Sequence, residues 1–209
     1  LFAWGVPSPA EAEEAVLEDG KVRDAIAVFD AWLERRIERE ELPGVAVGVV
    51  FGESLLWSKA YGYADLASRR PATTETAYRV ASITKTFTAT AIMQLRDAGK
   101  LGLDDPVSDH LDWFRLDDRH AETGSVTIRQ LMTHSSGLVR ELEGLYWDDG
   151  VLLDRDEFIA RFQATPSAKG REETYKYSNV AFAILGDVIE SASGESYDDY
   201  LTGQILEPL

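Results

Sequence analysis

Residues 45–51, Val-Ala-Val-Gly-Val-Val-Phe, constrain the fold more than any other stretch. The run is β-branched, of strand length, and bounded by breakers: Glu41-Leu42-Pro43-Gly44 before it and Gly52-Glu53 after it. Ser54–Tyr63 reads as a returning strand, which makes the pair a hairpin turning at Gly52-Glu53. A bare hairpin is not stable in water, so it needs further strands or a helix against one face. The small residues Ala46, Gly48, Ala60 and Gly62 predict close approach of a helix on that sheet.

Helical periodicity surrounds the hairpin. Residues 10–41 carry Ala15, Val22, Ile26, Phe29, Leu33 and Ile37 at helical spacings. A second helix runs from Ser82 to about Asp97, with Ile83, Phe87, Ala91 and Leu95 recurring every fourth position and Gly99 as its stop. A third spans Val180–Ser191, with Val180, Ile184, Leu185 and Val188 facing a core, and a fourth spans Tyr197–Ile205. These elements predict an α/β (α+β) fold: an antiparallel sheet flanked by helices. Residues 1–100 form the body with the helix from Ser82, residues 101–175 a mostly helical insertion, and residues 176–209 a return to the body.

The chain has 209 residues and a formal net charge of −16, with 37 acids against 21 Lys and Arg. That balance argues against nucleic acid or an anionic membrane surface as a partner. Residues 104–122 concentrate it (Asp104, Asp105, Asp109, Asp112, Asp117, Asp118 and Glu122), and the run reads as a solvated face. Cysteine is absent, which excludes disulfides, thiolate metal sites and a Cys nucleophile. No apolar run reaches the length of a membrane span. Leu1-Phe2-Ala3-Trp4-Gly5-Val6 lacks the basic flank and length of a signal peptide, and the first residue is not Met, as expected of a processed chain or a fragment.

The chemistry-bearing residues lie in two short motifs. Ser82 and Lys85 are three residues apart at a helix start, which puts hydroxyl and amine on one face beside the unpaired N–H groups of the first turn. A serine with an amine one turn away is the arrangement an activated nucleophile requires. Alone, the same residues are equally an N-cap and a solvated lysine, since short motifs match by chance. The second motif is Tyr177-Ser178-Asn179, which includes the only asparagine of the chain. Asn179 also suits a plain helix cap, and a loop entering a helix is where a scaffold presents side chains to a cleft.

Other constellations are weaker. His134 beside Ser135 and Ser136 invites a Ser-His-Asp reading, but the chain has no G-x-S-x-G elbow, and adjacent residues do not face each other as a triad does. His134 reads as a helix-end or core histidine. His110, His120 and His134 make no H-E-x-x-H spacing, so neither a metal nor another cofactor is called for. Tyr146 and Trp147 are candidates for the border of a cleft, with packing inside the insertion as the alternative.

Together, Ser82-Ile83-Thr84-Lys85 and Tyr177-Ser178-Asn179 resemble the motifs of the serine β-lactamase and penicillin-binding-protein superfamily. The class C β-lactamase-like branch, with its esterases and D-amino-acid peptidases, is the nearer likeness. Thr133-His134-Ser135-Ser136-Gly137-Leu138 is similar to that branch's H-T-S-G-L stretch, with Ser135 where Thr is usual. Ile205-Leu206-Glu207-Pro208-Leu209 resembles the segment leading into the branch's C-terminal portion.

The resemblance covers residues 42–209 and implies acyl transfer through a covalent serine ester. Ser82 would be the nucleophile, Lys85 and Tyr177 the catalytic base and proton shuttle in either assignment, and Asn179 the residue that orients Lys85 and binds the substrate amide. The substrate would be a small molecule or peptide: an ester, an amide, a β-lactam or a D-aminoacyl peptide. The alternative is a penicillin-binding sensor or scaffold that acylates without turnover.

The family's third motif, K-T-G or H-x-G on a strand, is absent from this sequence. The sheet is therefore expected to be incomplete here, with its remaining strands supplied by a second polypeptide or a further C-terminal segment. The 209 residues alone are expected to be nearly inactive.

Overall fold

The computed structural model describes residues 15–16, 18–116, 124–143, 153–172 and 174–209. They divide into two compact units, one ending at Arg79 and the other beginning at Val80.

The first unit contains α1 (Gly20–Arg39), β1 (Gly44–Phe51), β2 (Ser54–Asp65) and the short β3 (Arg70–Pro71). The long helix runs from Gly20; residues 15, 16 and 18 before it are helical too, and residues 10–14 of the predicted helix lie outside the described residues. Asp19 is in extended backbone, and its carboxylate accepts the Lys21 N–H at 2.7 Å, which caps the first turn. Arg36 and Arg39 sit in the last turn, where cations suit the helix dipole. The hairpin forms as the sequence predicts, with β1 antiparallel to β2 and Val47 opposite Lys59. The sheet order is β1-β2-β3, and the sheet is open, with no further strand among the described residues.

The long helix α1 packs on the face opposite the one that carries Ala46, Gly48, Ala60 and Gly62. Trp57, Lys59 and Tyr61 alternate onto one face and meet α1. The Phe29 and Trp57 rings stand edge to face at 6.1 Å. Lys59 Nζ lies 2.7 Å from Asp30 and 2.8 Å from Glu34, and the Tyr61 hydroxyl donates to Asp30 at 2.6 Å. Ala46 and Ala60 pair with each other on the opposite face. Gly62 is small for a backbone reason: its φ is +70°, and a Cβ there would lie 2.4 Å from the Pro43 carbonyl oxygen.

The second unit is built around two helices, α2 (Thr84–Asp97) and α5 (Asn179–Ser193), with α3 (Ile128–Met132), α4 (Arg155–Ala164) and α6 (Tyr197–Leu201) beside them. Ala91, Ile92 and Leu95 of α2 share a buried core with Val180, Ile184, Leu185, Val188 and Ile189 of α5. That apolar face holds the pair together at about 1.5–3 kcal/mol per fully buried large aliphatic side chain. Thr88 and Tyr197 join α2 to α6 by a 2.7 Å hydroxyl contact.

The end of α2 matches its sequence signal. Gly99 N–H bonds Arg96 O and Lys100 N–H bonds Leu95 O, the paired closure of a Schellman motif. At the other end of the unit, α6 stops at Leu201 and the chain continues as a π-helical turn, Thr202–Leu206, so one continuous helix to Ile205 does not form.

Part of the acidic stretch is structural. Asp104 pairs with Arg129, and Asp105 accepts from the Gly102 N–H while facing His110. Asp117, Asp118, Glu122, Tyr146 and Trp147 lie outside the described residues.

Candidate active site

All four residues singled out by the motifs belong to the second unit. The chain enters the site through a tight 3-10 turn, Ala81–Ile83, and only then becomes α2. Ser82 therefore sits in the turn before the helix, where one continuous helix from Ser82 was predicted. Ala81 has φ +46°, a left-handed conformation that costs a non-glycine residue about 1–2 kcal/mol. This strained residue immediately precedes the exposed Ser82.

From this turn, Lys85 reaches back along one face. Its Nζ donates to Ser82 Oγ at 3.2 Å and lies over the rings of Tyr177 at 5.0 Å and Phe182 at 5.6 Å. Tyr177 lies 95 positions from Ser82, and its hydroxyl is 2.7 Å from Ser82 Oγ. The hydroxyl, the amine and the phenol thus converge on one point.

A loop delivers Tyr177, and the Thr133–Leu138 motif builds its cradle. Lys176 N–H bonds the His134 carbonyl at 2.8 Å, Glu172 N–H bonds the Ser135 carbonyl at 2.9 Å, and Asn179 N–H bonds the Arg140 carbonyl at 2.9 Å. Gly137 has φ +76°, and a Cβ there would come 2.1 Å from the Lys169 carbonyl oxygen, so only glycine fits. Its own carbonyl accepts from Ala168 and Lys169 N–H groups.

Within Tyr177-Ser178-Asn179, Ser178 is the helix cap, not Asn179. It is fully buried, its Oγ accepts from Ala181 N–H at 3.0 Å, and the same oxygen donates to the Val139 carbonyl at 2.7 Å. Asn179 is the first residue of α5, and its side-chain amide donates to Glu141. Asn179 Oδ1 is buried without a hydrogen-bond partner, so the expected contact with Lys85 is not formed in this structure.

The electrostatics favour ionisation of the phenol. Burial pushes the Tyr177 acidity down, raising its pKa. The hydrogen-bonding neighbours Lys85 and Ser82, with the charges of Lys85 and Arg140, outweigh that effect and leave the pKa below the usual tyrosine value. Arg140 lies 5.4 Å over the Tyr177 ring. His134 is held below the ordinary histidine value by burial first and the charge of Lys85 second.

Arg140, Glu141 and His134 surround the site without having been predicted to serve it. A positive charge six residues past a histidine carries no pattern. The signal for this loop was the likeness of Thr133–Leu138 to the H-T-S-G-L stretch.

The beta-lactamase family model matches residues 29–209. Protein flp of Staphylococcus aureus is 29% identical over 192 residues, which cover 89% of this chain and 37% of that protein. The octameric penicillin-binding protein homologue from Pyrococcus abyssi superposes with a TM-score of 0.76 at 32% identity, covering 88% of this chain and 42% of that one. A class C beta lactamase from Rhodobacter sphaeroides superposes with a TM-score of 0.66 at 26% identity, covering 86% and 47%. The chain spans less than half the length of each of these relatives.

Proposed function

The chain belongs to the beta-lactamase family, and on that footing we propose that it is a serine hydrolase working through an acyl-enzyme on Ser82. The observation that carries this reading is the 2.7 Å contact between Ser82 Oγ and the Tyr177 hydroxyl, with Lys85 Nζ 3.2 Å from the same oxygen. Sequence-distant polar groups clustered this way on a surface-accessible serine match what a nucleophile, its base and an orienting charge require.

In this mechanism, Ser82 Oγ attacks a carbonyl carbon and passes its proton to Tyr177. The lowered pKa of the phenol, maintained by Lys85, Ser82 and Arg140, makes its phenolate available as the proton acceptor. Tyr177 then returns the proton to the leaving group. Ser82 N–H and a second donor outside the described strands stabilise the oxyanion, each donor contributing on the order of 10²–10³ in rate. Asn179, whose side-chain amide donates to Glu141 in this structure, is the residue proposed to bind the substrate amide. The substrate class is an ester, amide, β-lactam or D-aminoacyl peptide.

Covalent labelling tests the reading. A fluorophosphonate or β-lactam probe should add its mass to the peptide containing Ser82, and Ser82→Ala should abolish the adduct. Labelling that survives Ser82→Ala removes Ser82 as the nucleophile. Release of p-nitrophenol beyond one equivalent separates an enzyme from a protein that acylates without turnover.

A further inference from the structure

His134 is buried at the end of α3, yet it touches the site from several directions. Its ring lies 4.4 Å from the Tyr177 ring, 5.2 Å from Phe182 and 5.6 Å from Tyr175. Its Nδ1 accepts the Ser178 N–H at 3.2 Å, and its carbonyl accepts the Lys176 N–H at 2.8 Å. One residue thus grips the backbone on both sides of Tyr177 and packs against the ring between at a 39° tilt. Its φ of +58° is a conformation few non-glycine residues adopt, histidine and asparagine among them.

We propose that His134, as a neutral imidazole, is the positioning residue that holds the Tyr177 hydroxyl against Ser82, and that its protonation releases this hold. The proposal deepens the serine hydrolase reading and rests on it for its kinetic consequences. The physical reason lies in Nδ1. As an acceptor it must be unprotonated, which places the ring proton on Nε2. An imidazolium carries N–H on both nitrogens, so the Ser178 N–H would face another donor and the clamp would open.

The titratable and charged groups facing the ring are Lys85 from α2 and Tyr175 and Tyr177 from the segment before α5. Arg140 adds a second positive charge on the far side of the Tyr177 stack. Burial first, and the charge of Lys85 second, oppose protonation of His134, so the neutral form is the resting form near neutral pH.

His134→Asn is the informative variant. Asparagine tolerates the left-handed backbone, offers Oδ1 to the Ser178 N–H, and does not titrate. Fluorophosphonate labelling of Ser82 is followed from about pH 8 to about pH 4.5, across the histidine range. In the wild-type protein the rate should fall about tenfold as His134 protonates, the scale of one lost hydrogen bond. His134→Asn should label within about threefold of wild type at the upper end and show a shallower acid limb, with only the Tyr177 ionisation left to shape it. His134→Leu should be slow at every pH. An acid limb in His134→Asn equal to that of wild type would overturn the proposal.

A second measurement stands apart from reactivity. In the Ser82→Ala protein, imidazole ¹⁵N resonances should show an Nε2–H tautomer, and the Ser178 amide and Tyr177 ring signals should shift with the His134 titration. If they stay fixed while His134 titrates, the clamp is refuted whatever labelling shows. If they move but no probe ever labels Ser82, the hydrolase reading fails and the clamp stands.

Discussion

In the proposed mechanism Tyr177 acts as a single phenol beside two positive charges, Lys85 and Arg140. Tyr177→Phe keeps the ring stacked on His134 and loses only the hydroxyl. It should slow labelling of Ser82 by about 10²–10⁴-fold, the usual weight of a general base, with the melting temperature unchanged. Unchanged kinetics would remove the residue from the mechanism. Arg140 acts on the same phenol from a distance. Its charge helps to hold the Tyr177 pKa down. Arg140→Gln should raise it, so the rising limb of the labelling rate should move to higher pH, and a rate profile that does not move would show that the phenolate is not the active form. His134 is linked to pH through stability. Its folded-state value is depressed, so the unfolded chain binds the proton first as pH falls. The neutral-ring contribution is complete above the ordinary histidine range and lost as pH falls through it towards the depressed value. Urea midpoints should drop over that interval in the wild type, and the slope should be smaller in His134→Asn.

At the scale of elements, the site depends on where α2 and α5 begin: α5 is capped by Ser178, while α2 grows out of a 3-10 turn with no side-chain cap. Ser178 is the clearer case. Ser178→Ala removes the cap on Ala181 N–H and leaves the Val139 carbonyl without its donor. The expected loss is about 0.5–2 kcal/mol, read as a lower urea midpoint, with slower labelling because Tyr177 is the neighbouring residue. An unaltered midpoint would show that solvent replaces the cap. In the sequence, the serine is hidden beside Asn179, which is as good a cap by type. What decides between them is that Asn179 has a second use, its bond to Glu141, and no local pattern reports a partner 38 positions away. The periodicity of Val180, Ile184, Leu185 and Val188 was legible because those residues meet a single core face. The 3-10 turn at Ala81–Ile83 was not, because the strain at Ala81 is imposed by tertiary structure and has no local propensity to betray it. On the hairpin, strand pairing was readable from alternation, while the face chosen by α1 was decided by Asp30, Glu34 and Lys59, an ion cluster spread over two elements.

Over the whole molecule, the sheet is the part left open. Among the described residues β1 pairs with β2 alone, β3 is only Arg70–Pro71, and Val50, Phe51 and Leu55 remain exposed at the hairpin end. An unpaired strand edge beside exposed apolar side chains is a site that native proteins cover. The chain also spans 37% of Protein flp and 42% of the Pyrococcus abyssi homologue, both of which it otherwise matches through most of its own length. We propose that further strands, from a second polypeptide or a further segment, complete this sheet, and that the same addition supplies a second oxyanion donor. The native mass of the isolated protein should then exceed that of the 209 residues. Supplying the strands should raise the labelling rate by on the order of 10²–10³, the weight of one oxyanion donor. It should also protect the β1 amides from hydrogen exchange, since they would gain partners. The two readouts separate the ideas. Protection without faster labelling would mean that the strands complete the sheet but bring no donor. A 209-residue polypeptide that labels and turns over as fast without them would end the proposal, because the oxyanion would then be fully served by groups already present.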